Sequence, residues 1–192
     1  MKKVKISILM VLAVVLILPA CKKGADDPFL SLKSRKARIS GVWTLSSGTR
    51  TETQGGSTYT ATYDGSLVHV TYSGLSQSQT YTEKITVNKD GSFEDVTNDD
   101  GTLSDVKGSW YFGRKDKTLD LKNKESVVFI ETSVVTTQGS STTTQTYTGA
   151  ACPSYTAILD ELKSKEMKIK LDGSDTGTST TTDTGMMTYT KN

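Results

Sequence analysis

Residue types that carry chemistry are scarce in this chain: one histidine, His69, and two cysteines, Cys21 and Cys152. His69 stands between Val68 and Val70. Alternation turns it away from those valines, beside Leu67 and Thr71, which is a solvated or packed position and not that of a catalytic base. With no second candidate a Ser-His-Asp arrangement cannot be drawn, and nothing brings Cys152 to His69. One His and one Cys fall short of the ligand count of zinc, so neither a metal nor a cofactor is expected. Asp172-Gly173-Ser174-Asp175-Thr176-Gly177 hints at a calcium loop but lacks the alternating acids and the closing Glu. Asp90, Asp99 and Asp100 fit turn positions next to glycine. A glycosidase carboxylate pair is set by space and not by spacing, so it is the one catalytic arrangement left open. The aromatics Tyr59, Tyr63, Tyr72, Tyr81, Trp110 and Tyr147 combine apolar bodies with polar tips, suiting either a ligand cavity or cross-strand packing. Among them Tyr63, Tyr72, Tyr81 and Trp110 are the candidate ligand-binding residues. No residue is assigned a catalytic role.

Cys21 points to a different chemistry. Lys2, Lys3 and Lys5 precede a run from Ile6 to Leu18 that is apolar but for Ser7. Crossing a bilayer takes roughly 20 helical residues; this run is shorter, and with its basic start it has the form of an export signal. Leu18-Pro19-Ala20-Cys21 then resembles the bacterial lipobox. A thiol is needed there because a thioether to diacylglycerol forms before cleavage frees the Cys21 amine for acylation. Residues 1–20 are therefore read as a signal peptide and Cys21 as the lipid attachment site. Lys22 follows it where an Asp can signal inner-membrane retention, so the expected location is the cell envelope, lipid-anchored in the outer membrane, on either of its faces.

Loss of residues 1–20 removes three of the 23 basic residues and none of the 21 acidic ones, leaving the rest of the chain at a net charge of −1. No basic patch for nucleic acid survives, and that class of partner is rejected. With Cys21 lipidated, Cys152 has no disulfide partner, so stability must come from an apolar core and backbone ladders. Cys152 itself is read as a small buried hydrophobe.

Residues 21–36 read as a polar tether running into a short helical turn, with helical character between Phe29 and Arg38. Residues 37–192 are β in character, rich in Thr, Ser, Tyr and Val with recurrent turn signals. Period-2 alternation puts Trp43 with Leu45, Val68 with Val70 and Tyr72, and Tyr81 with Ile85 and Val87. It does the same for Leu119 and Leu121, for Met167, Ile169 and Leu171, and for Met187 and Tyr189. Val128, Ile130, Thr132 and Val134 share a face opposite Val127 and Phe129. Asn88-Lys89-Asp90-Gly91 and Asp99-Asp100-Gly101 make hairpin turns. The stretch from Ala157 to Lys168 suits a helical turn or a hairpin about Lys163-Ser164-Lys165, with the hairpin favoured. Thr136 to Gly149 and Ser174 to Gly185 are read as strand ends and long hairpins. The fold class is all-β: a small antiparallel up-and-down barrel of about 8–10 strands, closed because an open sheet of that length would expose its edges.

Residues 21 to 43, from Cys21 through the tether to Gly41-Val42-Trp43, resemble the start of the lipocalin-like lipoproteins of the Bacteroidetes. Gly41-Val42-Trp43 is similar to the G-x-W of the first lipocalin strand, which makes Gly41 and Trp43 structural residues. Lys89-Asp90-Gly91-Ser92-Phe93, Gly108-Ser109-Trp110 and the ending Leu162 to Lys191 resemble later hairpins of the same family. The Thr-Asp-x-x-Tyr element and the late arginine of lipocalins have no counterpart; the last arginine is Arg114. The resemblance implies a small antiparallel barrel and names no ligand; the leading functional reading is a monomeric, membrane-anchored module holding a small apolar or glycan ligand in that barrel. A structural lipoprotein that docks a protein partner is the alternative, and an enzyme the least supported class, which carboxylates converging inside the barrel would revive.

Lipid attachment at Cys21 has a direct consequence. Acyl chains contribute about 0.8 kcal/mol per buried CH₂, and lasting attachment takes more than one chain. Cys21→Ala is expected to abolish membrane association and palmitate labelling, read by membrane pelleting; full pelleting of the variant would rule out the lipid anchor.

Overall fold

Tight turns join several of the alternating segments. At Asp100-Gly101 both residues take positive φ, 48° and 86°, the conformation of a two-residue turn whose twist matches the strands it joins. The computed structural model, which describes residues 33–174 and 182–192, has eleven strands, and Gly55-Gly56 and Ser73-Gly74 make turns of the same kind. Cys21, the tether up to Leu32 and residues 175–177 of the calcium-like segment lie outside the described residues. The strands are β1 (Gly41–Gln54), β2 (Ser57–Tyr63), β3 (Leu67–Tyr72), β4 (Leu75–Val87), β5 (Ser92–Asp99), β6 (Thr102–Phe112), β7 (Ser126–Gln138), β8 (Ser141–Thr146), β9 (Ser154–Leu162), β10 (Glu166–Ser174) and β11 (Thr182–Lys191). One short helix, α1 (Arg35–Ile39), precedes them, and a 3₁₀ turn spans Gly149–Ala151. No helix of the described residues is long and apolar enough to cross a membrane.

Antiparallel pairing runs from β1 through β2, β3, β4, β5, β6 and β7 to β9, β10 and β11, and returns to β1, closing a ten-strand barrel. β8 folds back on the upper part of β7. The strand count changes along the barrel axis. At the α1 end, β1 and β4 pair directly through Gly41–Thr44 and Lys84–Val87. Beyond Gly48 they part, and the β2–β3 hairpin fills the space between them. The barrel is thus narrow and filled at one end and widens towards the other. On the opposite side of the wall, Ser154–Ile158 of β9 pair with β7, whereas only Ile158–Leu162 pair with β10. The first half of β9 and the second half of β10 share no ladder, which leaves a seam.

The narrow end is an apolar floor built from Ile39, Trp43, Leu45, Ile85, Val87, Phe93, Trp110, Val127, Phe129, Leu159, Leu162, Met167, Ile169 and Tyr189. Trp43 is fully enclosed, and its Nε1 donates to the Ile39 carbonyl at 2.6 Å, tying β1 to the end of α1. Lys191, on the last strand, lies over the Trp43 ring with Nζ 4.9 Å from its centroid. The same ammonium donates to the carbonyls of Arg38 and Ser40, capping α1. Arg38 Nη1 donates to Leu162 O at 2.7 Å and holds α1 against β9. The cation over Trp43 is therefore a lysine, which an inventory of arginines does not reveal. Gly41 is required here: its φ is +146°, and a Cβ would fall 2.1 Å from the Lys191 side chain.

Several sequence expectations need correction. A bulge opposite Lys107 and Gly108 inserts Thr132 into β7, so Val134 turns inward with Val106 while Val128 and Ile130 stay outside. Gly108 permits the close approach, since a Cβ there would lie 1.9 Å from Ile130 O. Leu119 and Leu121 are not on a strand; residues 113–125 form a loop with a single bridge between Asp116 and Leu121. Cys152 is half-buried, not part of the core. The Ala157 to Lys168 stretch is the β9–β10 hairpin, closed by Lys163 N donating to Glu166 O at 2.8 Å.

Truncating a buried Trp costs roughly 3–5 kcal/mol, and a cation over a ring contributes about 0.5–2 kcal/mol. Trp43→Ala is accordingly expected to lower unfolding free energy by the larger amount and Lys191→Met by the smaller, both read by urea denaturation; an unchanged midpoint in Trp43→Ala would show that the floor does not depend on this ring.

Candidate functional site

Above the floor the interior changes from apolar to acidic, and strand register says which residues meet there. β4 turns Tyr81 and Glu83 inward along with Ile85 and Val87, and Ile85 is registered against Asp95 of β5. Phe93, Asp95, Thr97 and Asp99 follow the same parity. Gly108, which faces Phe93, is opposite Glu131. β1 sends in Arg50 and Glu52, the latter registered with Asp183 of β11. Among the described residues the inner wall thus carries six carboxylates, Glu52, Glu83, Asp95, Asp99, Glu131 and Asp183, against one guanidinium, Arg50.

Two of these groups sit deepest. Glu83 accepts from Tyr189 OH at 2.7 Å and from Tyr81 OH at 3.1 Å. Burial pushes the Glu83 carboxyl above its ordinary range, and the two phenolic hydrogen bonds only partly oppose this. Asp95, one strand away, has an Oδ1 sealed from solvent that meets no donor. Burial, then the neighbouring Glu83 and Glu131, push its pKa up to about 8. Burial also raises Glu131. Such shifts follow when carboxylates are taken from water and given no cation.

Tyrosines surround this layer. Tyr63 meets Tyr81 edge-on at 5.0 Å. Tyr155 stacks on Phe129 at 5.1 Å and stands at the seam, 40% exposed. Burial and the nearby carboxylates raise the hydroxyls of Tyr81, Tyr155 and Tyr189. Nearer the rim, Arg50 binds Asp183 at 2.9 Å and Glu52 at 3.4 Å. Burial opposes the Arg50 charge, but the hydrogen bond and charge of Asp183 outweigh it, so its pKa rises. Gln79 Nε2 donates to Asp99 Oδ1 at 2.6 Å. At the mouth Tyr59 and Tyr72 stack with centroids 4.4 Å apart.

The four candidate binding residues separate. Tyr63 and Tyr81 lie in the acidic layer, and Tyr72 stands at the exposed rim. Trp110 belongs to the floor: it is 6% exposed and its Nε1 donates to Asn88 O at 2.8 Å, which takes it out of the acidic layer. His69 is exposed on the outer face beside Ser78, 2.7 Å from Nδ1. Glu83, Asp95, Glu131, Tyr155, Tyr189 and Arg50 escaped the sequence reading. Their signal was present in part: Glu83, Asp95 and Glu131 each interrupt the apolar face of a strand, two residues from Ile85, Phe93 and Phe129. Among the described residues no three His, Cys, Asp or Glu side chains are spaced to hold a metal ion.

Compared with known proteins, the chain matches no family model, no curated protein and no solved structure.

Asp95 makes stability depend on pH with a definite sign. An unfolded aspartate loses its proton near pH 3.9, whereas native Asp95 keeps it to about pH 8. The native state binds more protons across that window, so this group lowers stability progressively as pH rises through it, with the full penalty above it. Asp95→Asn is expected to flatten the decline and to stabilise the protein at pH 9 by on the order of 3 kcal/mol. Urea titrations at pH 5, 7 and 9 test this, and an unaltered slope would mean that Asp95 ionises as freely as in water.

Proposed function

We propose that the protein is a membrane-tethered binding module that holds one small ligand in the chamber above the barrel floor, with Cys21 as its lipid anchor in the outer membrane. The observation that carries this reading is the change from a packed apolar floor to a tyrosine-lined acidic layer where the barrel widens. A barrel that served only as a scaffold has no use for Glu83 and Asp95 on its inner wall, because burying carboxylates without a cation costs stability. Of the two expected ligand classes, apolar or glycan, a purely apolar one leaves these groups uncompensated, so the ligand carries polar functions.

The reading is of binding without turnover. Carboxylates do converge, which is the arrangement a glycosidase needs. Glu83, however, is engaged on both oxygens by Tyr81 and Tyr189, which suits fixed recognition more than a carboxylate that must exchange a proton or attack a sugar.

Native mass spectrometry of the full-length protein from its membrane is expected to show a one-to-one adduct with a small molecule. Ala61→Trp should remove it, because Ala61 is registered between Arg50 and Val70 on the inner wall and a large ring there fills the mouth. Adduct retention in Ala61→Trp would place the ligand elsewhere. Conversion of the bound molecule to a product, lost in Glu83→Gln, would replace the binding role with an enzymatic one.

A further inference from the structure

We infer that the closed end of the barrel is a membrane-contact face: a ring of cations that lies on an anionic phospholipid bilayer and turns the mouth towards the aqueous phase. The inference goes beyond the ligand-binding reading and rests on one part of it, the lipid anchor at Cys21.

Segregation of charge is the first support. Residues 33–40, which lead into and form α1, carry four cations and no acid. The turns at 88–91 and 163–166 and the loop at 113–125 carry eight cations against five acids, and Lys191 adds one more cation. All these segments lie at one end. Lys89 follows Val87, which is registered with Gly41, and Lys163 follows Leu162, whose carbonyl receives Arg38 of α1. The 113–125 loop joins the floor ends of β6 and β7, and its Glu125 carbonyl receives Leu159 N at 2.8 Å. The closed end thus holds a net charge of +8, and the remainder of residues 21–192 holds −9. The four described turns at the mouth, at 54–57, 72–75, 99–102 and 138–141, contain no Lys or Arg. A net charge near zero conceals this division, which is why composition shows no basic patch. The cations also act on one another: burial, then the charges of Lys33 and Lys89, hold the Lys191 ammonium below its ordinary range.

The build of the 113–125 loop is the second support. Its acids are turned onto its own backbone. Asp116 Oδ1 accepts from Thr118 N at 2.8 Å and Leu119 N at 3.3 Å, and Glu125 Oε2 accepts from Lys122 N at 2.7 Å. Arg114, Lys115, Lys117, Lys122 and Lys124 are exposed, and among the described residues none of the five is ion-paired. Leu119, between them, is 46% exposed, and Tyr111 on the outer face of β6 is 51% exposed. Exposed cations beside an aliphatic side chain and a tyrosine suit the boundary between head groups and acyl chains.

The position of the tether is the third. Eleven residues separate Cys21 from Lys33, a reach of at most about 40 Å, and the chain enters the barrel at the closed end. A lipid on Cys21 therefore brings this end to the bilayer, at the high local concentration that a short tether gives. The electrostatic contact alone is reversible and salt-sensitive, so it orients a barrel that the lipid holds. Cations spread around the whole floor match an extended surface, whereas a small anion meets only one turn. Nucleic acid has no use for Leu119.

The test uses the mature protein, purified from its host membrane and reconstituted into vesicles of brominated phosphatidylcholine with or without about one-third phosphatidylglycerol. Leu119→Trp places a reporter at the loop tip and Leu75→Trp one at the mouth, where Leu75 is 76% exposed; Trp43 and Trp110 are enclosed in the floor. Leu119→Trp is expected to be quenched at least threefold more in anionic than in zwitterionic vesicles, and Leu75→Trp equally little in both. About 0.5 M NaCl should abolish the difference. So should Lys115→Glu, Lys117→Glu and Lys122→Glu combined, whereas Arg at the same three positions retains it. Every variant is expected to float with the vesicles in high salt. Quenching of Leu119→Trp that ignores vesicle charge or survives the triple reversal overturns the contact face, as does equal quenching of Leu75→Trp; flotation in high salt then leaves the anchor standing. A stronger response of Leu119→Trp to a duplex oligonucleotide than to anionic vesicles reassigns the ring to nucleic acid. Failure to float in high salt removes the anchor, and the orientation that rests on it.

Discussion

Everything in this barrel hangs on the enclosure of Trp43 where the first and last strands meet. A sheet closes only if its terminal strands find each other, and β1 and β11 do so over ten residue pairs. The large ring at the start of β1 gives that seam its apolar content, and the ammonium of Lys191 near the end of β11 covers it. The same ammonium caps α1, whose last residues shield Trp43 from below. One aromatic side chain thus joins the helix, the first strand and the last strand. These elements are far apart in sequence, so the contact ties the two ends of the barrel sequence together.

A well-sealed floor allows the rest of the interior to be imperfect. Glu83 and Asp95 are poor choices for a core on stability grounds, and they occur directly above side chains that pack to full burial. Widening of the barrel follows from the β2–β3 hairpin wedging between β1 and β4. The hairpin supplies Tyr63 to the acidic layer and the Tyr59–Tyr72 pair to the rim, so one insertion both adds strands to the wall and furnishes its inner face. The bulge at Thr132 plays a comparable part on the far side, aiming Glu131 inward at one step and Val134 at the next.

Local pattern shaped much of this. Alternation along β4, β10 and β11, the glycine turns after Asn88 and Asp99, and the polar run of β8 could be read because a strand's two faces differ at a period of two residues, whatever the strand pairs with. Leu119 and Leu121 show the limit: they alternate, yet the segment finds no partner strand, and pairing makes the strand. Thr132 shows another, since a bulge inverts parity in a way that depends on the neighbour's Gly108.

The sequence by itself determined an all-β barrel class, the apolar faces that build its floor, Trp43 and Leu45 among them, and the paucity of His and Cys, because each of these is a property of composition or of residues within a few positions of one another. Tertiary structure alone decided which faces look at the same space. Tyr81, Asp95, Glu131, Tyr155 and Tyr189 lie on five different strands, and only closure of the ladder, in one register, turns five scattered polar interruptions into a single acidic layer. Their chemistry is a matter of mutual distance and exclusion of water, and neither exists until the ring is closed.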